Sequence, residues 1–223
     1  ATDADGDALR YELTEGPADM TIDSATGLLR WTASFPGRRV RVTVTDGRGG
    51  RIVHGFFIAV FFALEPGRPL TITGPRNVSL LTTIVVPPNT PVLQVTLRGG
   101  TGEPELVIAD PNLFIRGISV RQGTIETMSF GSPLPGRWFI EIDACIVIGR
   151  LCQGFGAVDL TASLPVPTTL EGNRTLSNVS GDVSSETFYR IPVPPGAAHV
   201  RVTSERGTGI HFLYLARGRV PAC

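Results

Sequence analysis

The chain has 223 residues, 42% of them hydrophobic and 18% charged, which is long and apolar enough for folded domains and too apolar for intrinsic disorder. Its twenty basic residues, all arginine, balance twenty acidic ones, so no net field recruits nucleic acid or an anionic membrane. The 26 glycines and 18 prolines argue against a helical protein and for many short strands joined by turns.

The sequence opens ATDADGD, with Asp3, Asp5 and Asp7 on alternate residues. That is the 1-3-5 spacing of a helix–loop–helix calcium site, which also needs Gly at its sixth position and Glu at its twelfth. Ala8 and Thr14 stand there, so that motif fails. Hard carboxylate oxygens suit Ca²⁺, but three of them fall short of its usual six to eight ligands. A solvated Asx-rich turn is the plainer reading. The first residue is not Met and no charged-then-apolar leader follows it, so an excised piece or a mature segment is expected.

Downstream, alternation replaces helical periodicity. Met20–Asp23 and Leu28–Thr32 flank Ser24-Ala25-Thr26-Gly27, a hairpin in which Gly27 supplies a positive φ. In RVRVTVT, Val40, Val42 and Val44 share one face and Arg39, Arg41, Thr43 and Thr45 the other, as in a half-buried strand. Asp46-Gly47-Arg48-Gly49-Gly50 turns the chain, and Arg51–Val60 returns as the partner. Residues 8–60 thus predict about five antiparallel strands at sandwich spacing. The run FFIAVFFAL at 56–64 is too short to span a bilayer.

ATDADGDALRYEL, MTIDSATGLLRWT and RVTVTDGRGG, in that order, resemble the cadherin-like, immunoglobulin-type repeat of bacterial surface and secreted proteins. The resemblance implies an Ig-type sandwich over residues 1–63 whose first strand is missing, leaving an uncovered edge. It also implies that Asp3 and Asp5, with Asp46 nearby, form a candidate calcium site, calcium being the one cofactor considered and none being required.

LEPGRP at 64–69 breaks the pattern, and a second unit begins with an internal repeat. Residues 84–108 (IVVPPNTPVLQVTLRGGTGEPELVI) align without a gap on residues 191–215 (IPVPPGAAHVRVTSERGTGIHFLYL), 107 residues further on. The ten identities keep turn and strand residues in register together, among them Pro87/Pro194, Pro88/Pro195, Gly100/Gly207 and Gly102/Gly209. Each copy predicts a strand ending at a Pro-Pro corner, where no amide donor continues the ladder. A second strand, a Gly-Thr-Gly turn and a third apolar strand follow. In the first copy Pro133–Gly136, Arg137–Ala144 and Phe155–Leu164 add a turn and two closing strands. Pro165-Val166-Pro167 reads as an extended linker between the copies.

With ETMSFGSPLPGRWFIEI, GFGAVDLTASL and ETFYRIPVPPGAAHVRVTSERGTG, this pattern resembles the bacterial pre-peptidase C-terminal domain, a β-sandwich that follows the catalytic part of many secreted peptidases. The expected organisation is all-β tandem antiparallel sandwiches. These are an Ig/cadherin-like module at 1–63, a jelly-roll-like sandwich at 64–164, a linker at 165–168, and a partial second copy at 169–223 that cannot close unless further strands are supplied. The usual Gly-Asp-x-Asp-Leu run of that family is replaced by Gly102-Glu103-Pro104-Glu105-Leu106 and by Gly209-Ile210-His211-Phe212-Leu213, so an acidic role at that turn is doubtful in the first copy and absent in the second.

Cys145 and Cys152 bracket six residues in a loop between predicted closing strands. A disulfide there would constrain the unfolded chain by about 2.5 kcal/mol; the alternative is a pair of packed thiols. The resemblance to secreted proteins implies the disulfide and an oxidising compartment, with Cys223 left over. No Gly-x-Ser-x-Gly, His-Glu-x-x-His or Gly-x-x-x-x-Gly-Lys motif occurs. His54, His199 and His211 sit in strand or turn patterns rather than beside a nucleophile motif. Arg38, Arg39, Arg41, Arg48 and Arg51 read as a solvated hairpin face sooner than as a polyanion strip, and Trp31 and Trp138 as core or rim sooner than as sugar platforms. Three Asn-x-Ser/Thr matches, at Asn77, Asn173 and Asn178, carry no weight in a bacterial protein.

The sequence therefore predicts a non-catalytic segment of a secreted or cell-surface bacterial protein, acting as spacer, folding or secretion support, or docking module. Its partners would be an extracellular protein or polysaccharide, or neighbouring domains, with no nucleic acid, no membrane insertion and no assigned oligomeric state. One alternative is the tail of an exported hydrolase, most plainly a peptidase, whose active site lies outside these residues. The other is a calcium-dependent adhesive module.

Overall fold

A computed structural model describes residues 1–32, 38–75, 79–119, 123–144, 154–205, 207–209 and 212–217. Among them every regular element is a strand. The chain divides into two compact units, Ala1–Phe62 and Ala63–Cys223.

The first unit holds β1 (Arg10–Glu15), β2 (Thr21–Ile22), β3 (Leu29–Arg30), β4 (Arg38–Thr45) and β5 (Arg51–Ile58). β1, β4 and β5 make one antiparallel sheet and β2–β3 a small hairpin. Val40, Val42 and Val44 are buried together with Met20, and Tyr11, Leu29, Trp31 and Phe56 pack against them. This is the face the valine alternation predicts. Its reverse departs from expectation at Thr43, which is buried between Glu12 and Val53 in the ladder, with its hydroxyl unpartnered. At the β2–β3 turn, Asp23 Oδ1 accepts from the Ala25 amide at 3.1 Å and from the Thr26 amide at 2.8 Å. Gly27 follows with φ of 73°, under the Tyr11 ring, where a Cβ would lie 2.8 Å from ring carbons. Both the backbone and the space demand glycine there. β5 closes one side of its sheet, and on it Ile52, Val53 and Phe57 are exposed, an apolar edge of the kind that invites pairing.

After β6 (Phe62–Ala63), which begins on the last residue of the first unit, the second unit holds β7 (Leu70–Gly74), β8 (Leu80–Val86), β9 (Val92–Arg98), β10 (Glu105–Ala109), β11 (Ile115–Ser119), β12 (Glu126–Gly131), β13 (Gly136–Asp143), β14 (Phe155–Ser163), β15 (Thr168–Thr169) and β16 (Tyr189–Arg190). Two sheets, ordered β11-β10-β13-β8-β6 and β12-β9-β14-β7, share one core. Leu93, Val95 and Leu97 of β9, Leu106 and Ile108 of β10, Ile140 and Ile142 of β13, and Val158 and Leu160 of β14 are all sealed from solvent. β8 stops at Val86, directly before Pro87-Pro88, as expected of a corner without amide donors. At the Gly-Thr-Gly turn, Gly100 has φ of 72°, and a Cβ there would collide with the Gly156 carbonyl oxygen. Thr101 and Gly156 exchange backbone bonds at 3.0 and 3.1 Å, so this turn is pinned to the start of β14. Trp138 is core, its indole N–H donating to the Leu134 carbonyl at 2.8 Å. β11 and β12 are strands beyond those read from the sequence.

The second copy corrects one expectation. Residues 84–108 supply β8, β9 and β10, whereas the described residues among 191–217 form no strand. β8 and β10 are both held by β13, and β9 by β12 and β14.

Candidate functional site

The carboxylates of the opening stretch and of the β4–β5 turn lie within the first unit. Asp3 Oδ1 accepts from the Asp5 amide at 2.9 Å and the Asp7 amide at 3.1 Å, a turn closed by its own side chain. Asp46 Oδ1 does the same for the Arg48 amide at 2.7 Å and the Gly50 amide at 2.9 Å. Between these turns runs an ion pair, Arg48 Nη2 to Asp7 Oδ1 at 3.0 Å. So the guanidinium is the cation that Asp7 meets, and Asp3 and Asp46 spend an oxygen on the backbone. Among the described residues no three His, Cys, Asp or Glu side chains gather as a metal-ion set would. A shallow groove of about 390 Å³, lined in part by Thr2, Asp3, Asp7, Leu9, Tyr11 and Ala25, adjoins the turn.

The hairpin arginines are partly neutralised. Arg41 pairs with Glu15 at 3.1 Å and Arg48 with Asp7, which weakens any polyanion strip. His54, on β5, stacks loosely on Phe56 with ring centroids 5.8 Å apart; His199 is exposed. Trp31 donates to Asp19 Oδ1 at 3.0 Å and packs on the valine core. Cys145, Cys152, Cys223, His211 and Asn77 lie outside the described residues.

In the second unit the outward face of the β12-β9-β14-β7 sheet is a polar ladder. Cross-strand register sets Gln94 beside Ser129 and Ser163, Thr96 beside Thr127 and Thr161, and Arg98 beside Asp159. Thr71 continues the last row, its hydroxyl donating to Asp159 Oδ1 at 2.6 Å. Residues 182–186 lie on this face as a strap. The Glu186 carboxylate accepts from Gln94 Nε2 at 3.1 Å and from the Ser129 hydroxyl. Thr127 donates to the Ser184 carbonyl at 3.0 Å, and Arg98 stands 3.7 Å from Asp182. The period-2 run Gln94, Thr96, Arg98 marks the face in the sequence; nothing local marks Glu186 as its partner.

A second polar feature also escaped the sequence reading. Asp110 is fully buried at the β10–β11 turn, with Oδ1 accepting from the Asn112 and Phe114 amides at 2.9 and 3.1 Å. The turn holds Leu113 at φ of 65° and presents Leu113, Phe114 and Ile115 to solvent.

The five-strand first unit, with its valine core and hairpin turns, agrees with a family match over the same stretch. The He_PIG family model, described as "Putative Ig domain", matches residues 1–61. Residues 1–61 form an Ig-like repeat. Comparison with curated proteins finds no match. Among solved structures, the chain is 6% identical to a structure of CBM51-2 in complex with GlcNAc and INT domains from Clostridium perfringens ZmpB, with a TM-score of 0.26 over 69% of this chain and 41% of that one. It is 8% identical to a structure of the M60 catalytic domain with CBM51-1 and CBM51-2 from the same protein, with a TM-score of 0.25 over 75% and 22%. The chain thus spans less than half the length of either, and scores this low do not establish a shared fold.

Proposed function

We propose that the chain is a non-catalytic accessory segment of a secreted or cell-surface bacterial protein. It carries one Ig-like repeat of cadherin-like kind, then one whole and one partial sandwich of pre-peptidase C-terminal type. The array spaces and docks: the outward polar ladder is the face that meets an extracellular polysaccharide or protein. The observation that carries this reading is the gapless alignment of residues 84–108 on residues 191–215, 107 residues further on, since serial copies of a sandwich suit spacing and repeated weak contact. Gln94 is taken up by Glu186 of the strap; beside it Thr96, Thr161 and Ser163 offer hydroxyl groups without a deep pocket, as a surface that grips an extended polymer does.

The test is co-sedimentation of the 223-residue chain, at micromolar concentration, with insoluble chitin, cellulose and collagen. Retention in at least one pellet, lost in a Thr96→Arg/Thr161→Arg variant that keeps its melting temperature, supports docking. Clean recovery in every supernatant contradicts it.

The second reading, the tail of an exported peptidase, is favoured by the same residues that resemble pre-peptidase domains, and differs only in what else the full protein contains. The third, calcium-dependent adhesion through Asp3, Asp5 and Asp46, is tested by titration.

A further inference from the structure

The turn from β10 into β11 places a strained leucine where glycine is ordinary. Asp110-Pro111-Asn112-Leu113 is a β-turn, the Leu113 amide donating to the Asp110 carbonyl at 2.9 Å. The residue that closes such a hairpin turn lies in the left-handed region and is usually glycine. Here it is Leu113, at φ of 65°, a backbone conformation in which a Cβ crowds the following carbonyl. The strain does not serve packing. Leu113, Phe114 and Ile115 are 68, 64 and 60% exposed, three consecutive large apolar side chains at the end of a hairpin. Pro111 seats the turn from below, so close that a Cβ at Gly136 would lie 3.0 Å from its ring. A strained residue that is held firmly and packs on nothing points to function.

The backbone under these side chains is closed on itself. The Asp110 amide donates to the Phe114 carbonyl at 3.0 Å, and Pro111 has no amide hydrogen. The Asn112 and Phe114 amides donate to the buried Asp110 Oδ1, and the Leu113 amide to the Asp110 carbonyl. So no backbone N–H from 110 to 114 depends on water. A turn that stays in solvent has no need of this, because water satisfies its amides. A turn that enters hydrocarbon does need it, because nothing there accepts from a free amide. Charge is arranged to the same end. The one acid between 110 and 116 is Asp110, which is buried and paired with Arg116, so no uncompensated negative charge accompanies the apolar tip.

We propose that the β10–β11 turn is a lipid-surface anchor, seating Leu113, Phe114 and Ile115 at the boundary between headgroups and acyl chains of a bilayer. This is shallow, reversible seating and not a span. Three side chains fall well short of the roughly 800 Å² a side that a stable protein interface buries, so a second copy of this chain or another protein is the poorer occupant. A bilayer asks for no matching shape. The chain carries no net charge, so the attraction is apolar and screening by salt changes it little. The inference goes beyond the docking reading. It uses the β11-β10-β13-β8-β6 sheet rather than the one that carries the polar ladder, and stands whatever that ladder binds.

The test is co-sedimentation of the 223-residue chain with vesicles of phosphatidylcholine and phosphatidylethanolamine. A measurable fraction pellets with the vesicles. Raising salt from about 0.1 M to about 1 M, which cuts the screening length from about 10 Å to about 3 Å, does not lower that fraction. Phe114→Ser/Ile115→Ser lowers the partition coefficient at least about tenfold. Leu113→Gly lowers it too while keeping or raising the melting temperature, because glycine relieves the turn. Phe57→Ser, which removes a side chain 65% exposed on β5, leaves partition where it was. Absence of the unsubstituted chain from the pellet, an equal loss from Phe57→Ser, or release by salt would each overturn the inference. So would a loss in Leu113→Gly that comes only with a fall in melting temperature, or a dimer that the tip substitutions dissolve in a chain that binds no vesicle.

Discussion

Arg116 reaches the buried Asp110 carboxylate with two nitrogens, Nε at 2.7 Å and Nη2 at 2.5 Å, both on Oδ2. Burial alone pushes this carboxyl up. The Arg116 hydrogen bond and the Phe114 and Asn112 amides outweigh that and hold it below its ordinary 3.8. The unfolded chain therefore takes up the proton first as pH falls. The stability this group contributes is complete above the unfolded value and lost as pH drops through the lower folded one. Melting temperature is expected to be level above about pH 5 and to fall below about pH 4. Asp110→Asn should melt lower at neutral pH and show a shallower acid limb. An unchanged limb would remove Asp110 from the account. Asp23, also lowered, chiefly by the Thr26 amide, leaves a residual slope.

Two leucines at equivalent places in the repeat give a matched pair. Leu106 is buried in the first copy and Leu213 is exposed in the second. Leu106→Ala should cost about 2–5 kcal/mol by chemical denaturation, and Leu213→Ala no more than about 0.5 kcal/mol. Similar costs at the two sites would mean that Leu213 is packed as Leu106 is.

Calcium is expected to leave the melting temperature unchanged. Asp3 and Asp46 hold their own turns and Asp7 holds Arg48. A ligand specific to the native state at a hundred times its Kd would stabilise by about 2.7 kcal/mol, a shift easily seen. Any reproducible rise at millimolar calcium that magnesium does not mimic would restore the ion-site reading.

The strap is expected to be held locally. Glu186→Ala breaks contacts to Gln94 and Ser129 yet should change global stability by no more than about 1 kcal/mol. Limited proteolysis between residues 176 and 190 should accelerate in that variant while the first sandwich stays intact. Unchanged cleavage would mean that Glu186 does not hold the strap.

How much of this was legible in the sequence follows from which contacts are local. The valine alternation of β4, the Gly27 and Gly50 turns and the Pro87-Pro88 corner are decided by neighbours a few residues apart, and the structure keeps them. β11 and β12 escaped because IRGIS and ETMSFG alternate weakly; they are extended because β10 and β9 supply ladders. Glu186 meets Gln94 across 92 residues, a distance over which no pattern speaks. The described residues among 191–217 carry the local pattern of β8–β10 yet form no strand, because a local pattern becomes a strand only where a ladder takes it up.

The account rests on one sequence pattern laid twice, built into β8, β9 and β10 in the first stretch and without strands among the described residues of the second. Residue-resolved native-state hydrogen exchange on the 223-residue chain tests this most directly. The amides of Leu93, Val95, Leu106 and Ile108 should exchange only with global unfolding, and those of Val200, Val202, Leu213 and Leu215 at close to unprotected rates. Equal, strong protection of the two sets would contradict it.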